Sequence, residues 1–149
     1  MKIIAQNKKA SYQYHIEERI EAGLVLLGSE VKSLREGRAS LSDSYALIKE
    51  GEAFLINTHI APCAYASYAN HEPKRTRKLL LHKKQIKKLT GKLNERGYTL
   101  IPTKLYFKDG KAKVELGLCR GKKLFDKRES IKKRESKRQV ARALRHKNR

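Results

Sequence analysis

Tyr106-Phe107-Lys108-Asp109-Gly110-Lys111-Ala112-Lys113-Val114-Glu115-Leu116-Gly117-Leu118 reads as two strands and the turn between them. Asp-Gly is a dipeptide that suits a type I′ turn, the connection whose twist matches that of two antiparallel strands. Beyond the turn, Ala112, Val114, Leu116 and Leu118 alternate with Lys111, Lys113 and Glu115. A period of two predicts a strand with an apolar face for a core and a charged face for water or a ligand.

The segments upstream repeat this pattern on a smaller scale. Tyr45 to Ile48 and Ala53 to Ile60 flank Lys49-Glu50-Gly51-Glu52, where Gly51 can take a positive φ, so a second hairpin is expected, with Pro62 ending its second arm. Leu79, Ile86, Leu89 and Leu93 make an apolar stripe at helical spacing, with Lys83, Lys84, Lys87, Lys88 and Lys92 mostly off it, and Gly97 as a stop. Ala64 to Thr76, ending in the basic run from Lys74 to Lys78, reads as a loop. A shorter helix is expected from Ser29, as N-cap, to Gly37 at the C′ position, with Glu30 in the favourable first turn. Before it, Tyr14, Ile16 and Ile20 predict a strand, Glu21 to Gly23 a break, and Leu24 to Leu27 a buried strand, while Met1 to Ser11 reads as an irregular entry. Short strands punctuated by turns, with two internal helices, predict a mainly β fold: a small closed or nearly closed antiparallel barrel.

The chain carries 36 Lys and Arg against 15 Asp and Glu, a formal net charge of +21. Fourteen of those cations and three of those anions fall between Arg120 and Arg149. That segment has too few apolar residues to form a second core, so the expected organisation is one domain over residues 1–121 and a basic tail over 122–149. The longest apolar run, Gly23 to Gly28, is far short of a membrane span, and no signal-peptide core precedes it, so a cytoplasmic protein without a membrane partner is expected. Cys63 and Cys119 read as free thiols.

Patterns for catalysis and metal binding are weak. Gly117-Leu118-Cys119-Arg120-Gly121-Lys122-Lys123 fails as a phosphate loop, because its glycines are too close and Lys123 stands where a magnesium-binding hydroxyl belongs. Ser42-Asp43-Ser44 lacks the glycines of a nucleophile elbow. His59 and Cys63 have no second pair of ligands. No catalytic residue, metal or cofactor is expected, and the charge points instead to nucleic acid. If the tail became helical, Arg134, Arg138, Arg142 and Arg145 would share one stripe, and Glu129 and Lys133 would pair. Such a rod would fold on entering a phosphate-lined RNA groove. Tyr12, Tyr14, Tyr65, Tyr68, Tyr106 and Phe125 could stack on unpaired bases, core packing being the commoner fate of any one. A general nucleic-acid packer would share the charge, and an RNA-processing enzyme would have to use Glu21 with scattered His and Asp.

Specific blocks favour an RNA-binding adaptor over these alternatives. Asn7-Lys8-Lys9-Ala10, Ile16-Glu17-Glu18, Glu21-Ala22-Gly23, Glu30-Val31-Lys32-Ser33-Leu34-Arg35, Ser42-Asp43-Ser44-Tyr45, Gly51-Glu52-Ala53-Phe54-Leu55 and Arg75-Thr76-Arg77-Lys78-Leu79-Leu80-Leu81 resemble the successive motifs of the SsrA-binding protein family of bacterial trans-translation. The resemblance continues through Gly121-Lys122-Lys123 and Asp126-Lys127-Arg128. It implies an oligonucleotide-binding-like (OB-like) barrel with two to three packed helices, monomeric and not catalytic. The implied partners are the tRNA-like domain of transfer-messenger RNA and the ribosome, including small-subunit ribosomal RNA.

By position, the resemblance assigns the tRNA-like domain to Asn7, Glu21, Leu80 and Lys113, with Tyr14, Lys32, Arg35 and Lys78 beside them. It assigns the decoding centre and the empty mRNA channel to a tail disordered when free and helical when bound, through Gly121, Lys122, Lys123, Phe125, Asp126, Lys127, Arg128, Lys132, Lys133 and Arg134. From the residues alone, Glu21 could equally be a turn-stabilising carboxylate and Leu80 a core residue. Two positions depart from the family pattern: Phe125 stands where many members, and Tyr12 where some members, carry a histidine, keeping an aromatic face but losing imidazole hydrogen bonding.

Overall fold

The turn at Asp109-Gly110 forms with φ of 52° and 76° and joins β8 (Tyr98–Lys108) to β9 (Lys111–Gly121). The two strands pair antiparallel from Lys108↔Lys111 back to Tyr98↔Arg120. Val114, Leu116 and Leu118 are buried as the alternation predicts. The other expected hairpin links β4 (Tyr45–Lys49) to β5 (Glu52–Ile56) through Glu50-Gly51, at φ of 54° and 76°. A side chain at a positive φ costs about 1–2 kcal/mol, so Gly110→Ala and Gly51→Ala should each lower stability by that amount in urea unfolding, with an unchanged m-value.

The computed structural model describes residues 2–63, 70–95 and 97–121. Its remaining elements are β1 (Lys2–Gln6), α1 (Ala10–Gln13), β2 (Tyr14–Leu24), α2 (Gly28–Arg35), β3 (Ala39–Ser40), β6 (His59–Ile60), β7 (Arg77–Leu80) and α3 (Lys83–Leu93). All strand pairings are antiparallel. In the main sheet they run β8 to β4, β5, β7, β2, β9 and back to β8, with β1 added on β8. The interior holds Leu55, Leu79, Leu100, Leu105, Val114, Leu116 and Leu118, together with Leu34 of α2 and Leu89 of α3.

Several expectations are corrected. Residues 2–6 form a strand rather than an irregular entry: β8 pairs with β4 only at Leu100, so its backbone from Lys104 to Phe107 needs β1 as partner. β2 runs unbroken through Glu21 to Gly23, because β9 supplies partners along that length and β7 adds one at Gly23. Leu24 to Leu27 is not a separate buried strand: Leu24 ends β2 opposite Leu79, and the chain then leads out of the sheet with Val25 and Leu27 exposed. The second arm of the β4–β5 hairpin stops at Ile56, Asn57 turns at φ 60°, and His59–Ile60 pairs with β3 instead.

Leu79 belongs to a strand, not to the helical stripe. The flanking edges of β5 and β2 take up β7, leaving Ile86, Leu89 and Leu93 on the inner side of α3. Ser29 is not a cap either. Glu30 accepts the Leu27 N–H at 2.8 Å, and the Ser29 hydroxyl meets Nδ1 of His71 at 2.9 Å.

Candidate nucleic-acid interface

Strand register alone sets out the site. Gly23 of β2 pairs with Leu80 of β7 on one side and Lys113 of β9 on the other, and Lys113 in turn pairs with Tyr106 of β8. Leu80, Gly23, Lys113 and Tyr106 therefore form one row across four strands. With no side chain at Gly23, its neighbours close over it: a Cβ there would lie 3.3 Å from Leu80 Cβ, 3.4 Å from Leu80 Cδ1 and 3.7 Å from Lys113 Nζ. Leu80 is 54% exposed, so the core alternative for it is excluded. Lys113 makes no hydrogen bond or ion pair among the described residues, which leaves its ammonium available to an anion.

Two residues along β2, Glu21 is on the same face as Gly23. Its Oε2 accepts hydrogen bonds from the Tyr106 hydroxyl at 2.7 Å and from Lys108 Nζ at 3.5 Å. The Tyr106 bond, aided by the charges of Lys108 and Lys113, holds the carboxyl below its ordinary range despite some desolvation. Burial and the adjacent carboxylate push the Tyr106 hydroxyl up, so it stays a donor at neutral pH. Glu21 is thus a cross-strand carboxylate within a strand, not a turn residue. Tyr106, only 4% exposed, is closed to stacking, whereas Tyr12 is 51% exposed.

Asn7 follows β1 and is tied by its N–H to Thr103 O at 2.8 Å and by its side chain to Leu41 O at 3.5 Å. Thr103 donates to Glu115 at 2.7 Å, and Glu115 is the register partner of Glu21, so Asn7 borders the same side of the sheet. It lines two shallow grooves, of about 160 Å³ beside Arg19 and Lys104 and about 370 Å³ beside Ser40 and Ser42. Lys78 shares the outer face of β7 with Leu80 and is paired with Glu52 at 3.2 Å.

Other predicted site residues lie apart. Tyr14 is seven residues from Glu21 along β2, roughly 20 Å, and packs against the small cluster of Ala10, Ile101 and Cys119. Lys32 and Arg35 stand on α2 and make no hydrogen bond or ion pair with this row among the described residues. Gly121 ends β9 and donates its N–H to Gly97 O at 3.1 Å. The tail positions Lys122, Lys123, Phe125, Asp126, Lys127, Arg128, Lys132, Lys133 and Arg134 lie outside the described residues, as do Tyr65 and Tyr68.

Arg77, read as part of a basic loop, is fully buried. It donates to Glu30, to Thr58 O and to Pro73 O, while Arg75 pairs with the other Glu30 oxygen at 2.6 Å. Cys63 and Cys119 are free and buried, and burial pushes the Cys119 thiol up to about 11. Among the described residues no His, Cys, Asp and Glu group could hold a metal ion, and no helix is long and apolar enough to cross a membrane.

Comparison with known proteins adds independent findings. The family model described as SmpB protein matches residues 4–146. The chain is 59% identical over 147 residues to the SsrA-binding protein of Geobacter sulfurreducens, covering 99% of this chain and 96% of that one. It is 63% identical over 141 residues to the SsrA-binding protein of Syntrophobacter fumaroxidans, covering 95% and 88%. A solved structure described as "tmRNA-SmpB: a journey to the center of the bacterial ribosome" aligns with a TM-score of 0.69 at 48% identity, over 85% of this chain and 92% of that one.

Proposed function

This chain belongs to the SmpB protein family, and from that membership we propose that it is an RNA-binding adaptor for ribosome rescue. It binds the tRNA-like domain of transfer-messenger RNA and delivers it to stalled ribosomes in the cytoplasm. The ring of pairings through β8, β4, β5, β7, β2 and β9 acts as an OB-like barrel, and residues 1–121 are the RNA-binding unit. Residues 122–149 are the ribosomal unit: the tail enters the decoding centre and the empty mRNA channel, its cations pairing with small-subunit RNA phosphates. The adaptor acts as a monomer and catalyses nothing itself.

The observation that carries this reading is the row of Leu80, Gly23 and Lys113 with Glu21 beside it. A cation for phosphate, an exposed aliphatic surface for an unstacked base, and a carboxylate for a hydrogen-bond donor adjoin on three strands. Phosphate positions an RNA and its base edges specify it, so both functions are present on one face. Asn7 and Lys78 extend the face at its borders, while Tyr14 at the start of β2 and Lys32 and Arg35 on α2 would contact the RNA separately.

Competition binding at physiological salt tests the proposal. The full chain should prefer the tRNA-like domain over random duplex RNA by orders of magnitude, and equal affinities would make it a general nucleic-acid packer. Lys113→Ala should weaken binding and reduce the slope of log K against log salt by about 1, the signature of one lost phosphate contact.

A further inference from the structure

We propose that Tyr106 is a positioning residue for RNA recognition, holding the Glu21 carboxylate so that its free oxygen receives an N–H of an unpaired base resting against Leu80. The inference depends on the RNA-binding reading above and adds to it a residue and the chemistry of the group recognised.

A carboxylate repels phosphate, so on a face that also carries Lys78, Lys108 and Lys113 it suits a donor group rather than the RNA backbone. The Tyr106 hydroxyl and Lys108 both engage Oε2, at 2.7 Å and 3.5 Å, and no hydrogen bond among the described residues uses Oε1. An exposed glutamate has several rotatable bonds, and fixing them before RNA arrives removes an ordering cost from association. Tyr106 suits that role because its ring is buried, so its hydroxyl is a fixed point.

The recognised group is a base rather than a second phosphate or a sugar because of what adjoins Glu21. Glu21 and Gly23 are two residues apart on one strand face, roughly 7 Å, about the width of a base. Leu80 leans over Gly23 and offers an apolar surface. Lys113 Nζ, on the far side of Gly23, is placed for the phosphate of the same nucleotide.

The test is a double-mutant cycle on the full chain, measuring affinity for the tRNA-like domain of transfer-messenger RNA with wild type, Tyr106→Phe, Glu21→Ala and the double variant. Tyr106→Phe should bind about tenfold more weakly, with an unchanged salt slope because no phosphate contact is lost. It should cost nothing further when Glu21 is already alanine. Wild-type affinity that survives Tyr106→Phe, or losses that add in full, would overturn the inference.

A pH profile separates positioning from packing, and its comparison of wild type with Glu21→Gln does not depend on the stability of the phenylalanine variant. The charged and titratable groups facing Glu21 are Tyr106 and Lys108 from β8, Lys113 and Glu115 from β9, and Arg19 on its own strand. Tyr106 holds the carboxyl low, so Tyr106→Phe should lose affinity on acidification at a higher pH than wild type. Glu21→Gln keeps an acceptor and should remove the acid-side loss; persistence of that loss in Glu21→Gln refutes the role. If wild type itself fails to distinguish the tRNA-like domain from duplex RNA, the broader reading fails; if it distinguishes them and the cycle shows no coupling, only the Tyr106 role fails.

Discussion

Truncating Arg77 to alanine should destabilise the domain by about 3–5 kcal/mol, the cost of breaking a buried ion pair from one side. Both Glu30 and Arg77 have no exposed side-chain surface. Removing the guanidinium strips one partner from Glu30 and takes its donor from Thr58 O, while Pro73 O keeps the Ile60 N–H. Arg75 is partly exposed and still reaches Glu30, so the loss should fall at the lower end of that range. Replacing both residues with apolar ones of similar volume should recover much of it, because desolvation of the pair offsets most of its attraction.

The same pair gives a pH signature. Burial alone would raise the Glu30 carboxyl, but hydrogen bonds from Arg75, the Leu27 N–H and Arg77 outweigh it and hold the group below its ordinary 4.5. A carboxyl depressed by folding contributes stability above its unfolded pKa and loses it as pH falls through the folded one. Wild type should therefore lose this contribution only below about pH 4.5, and Arg77→Ala should begin acid unfolding at a higher pH. Urea midpoints from pH 7 down to pH 3 would check both statements. A loss under 1 kcal/mol at pH 7 would mean that Arg77 is replaceable.

Ending the chain after Gly121 should abolish tagging of stalled nascent peptides while leaving affinity for the tRNA-like domain within a few-fold. The expectation rests on the proposed division of labour: the Glu21, Leu80 and Lys113 cluster lies wholly within residues 1–121, whereas about half of the chain's net charge lies beyond. Losing that charge should flatten the salt dependence of all RNA binding without erasing discrimination between RNAs. Alanine at Asp126, Lys127 and Arg128 should reproduce the tagging defect with most of the tail charge kept. Filter binding and a reconstituted tagging reaction would measure the two effects separately, and loss of tRNA-like-domain binding on truncation would refute the division.

The hairpins were legible because their signal is local. Asp109-Gly110 and Glu50-Gly51 carry their own backbone requirement, and the former even sets the register that places Tyr106 opposite Lys113. The misread segments are those whose conformation depends on a distant partner. Leu79 has helical spacing to Ile86, yet open strand edges of β5 and β2 capture it. Ile3 and Ile4 are too short a pattern to announce a strand, but β8 needs one there. Arg77 looked like surface charge because Glu30, its partner, lies 47 residues away in the chain.

Charge, apolar alternation and turn chemistry are properties of neighbouring residues, so a mainly β domain with a cationic tail and a nucleic-acid partner followed from the order of amino acids, and the resemblance of its motifs narrowed that partner to RNA. Which side chains meet across strands is not such a property. Leu80 became an exposed surface rather than core, and Glu21 a held carboxylate rather than a turn residue, only through the pairing of β2 with β7 and β9. Tertiary pairing decided those roles because a strand's two faces acquire opposite fates only when its neighbours and the core between them are in place.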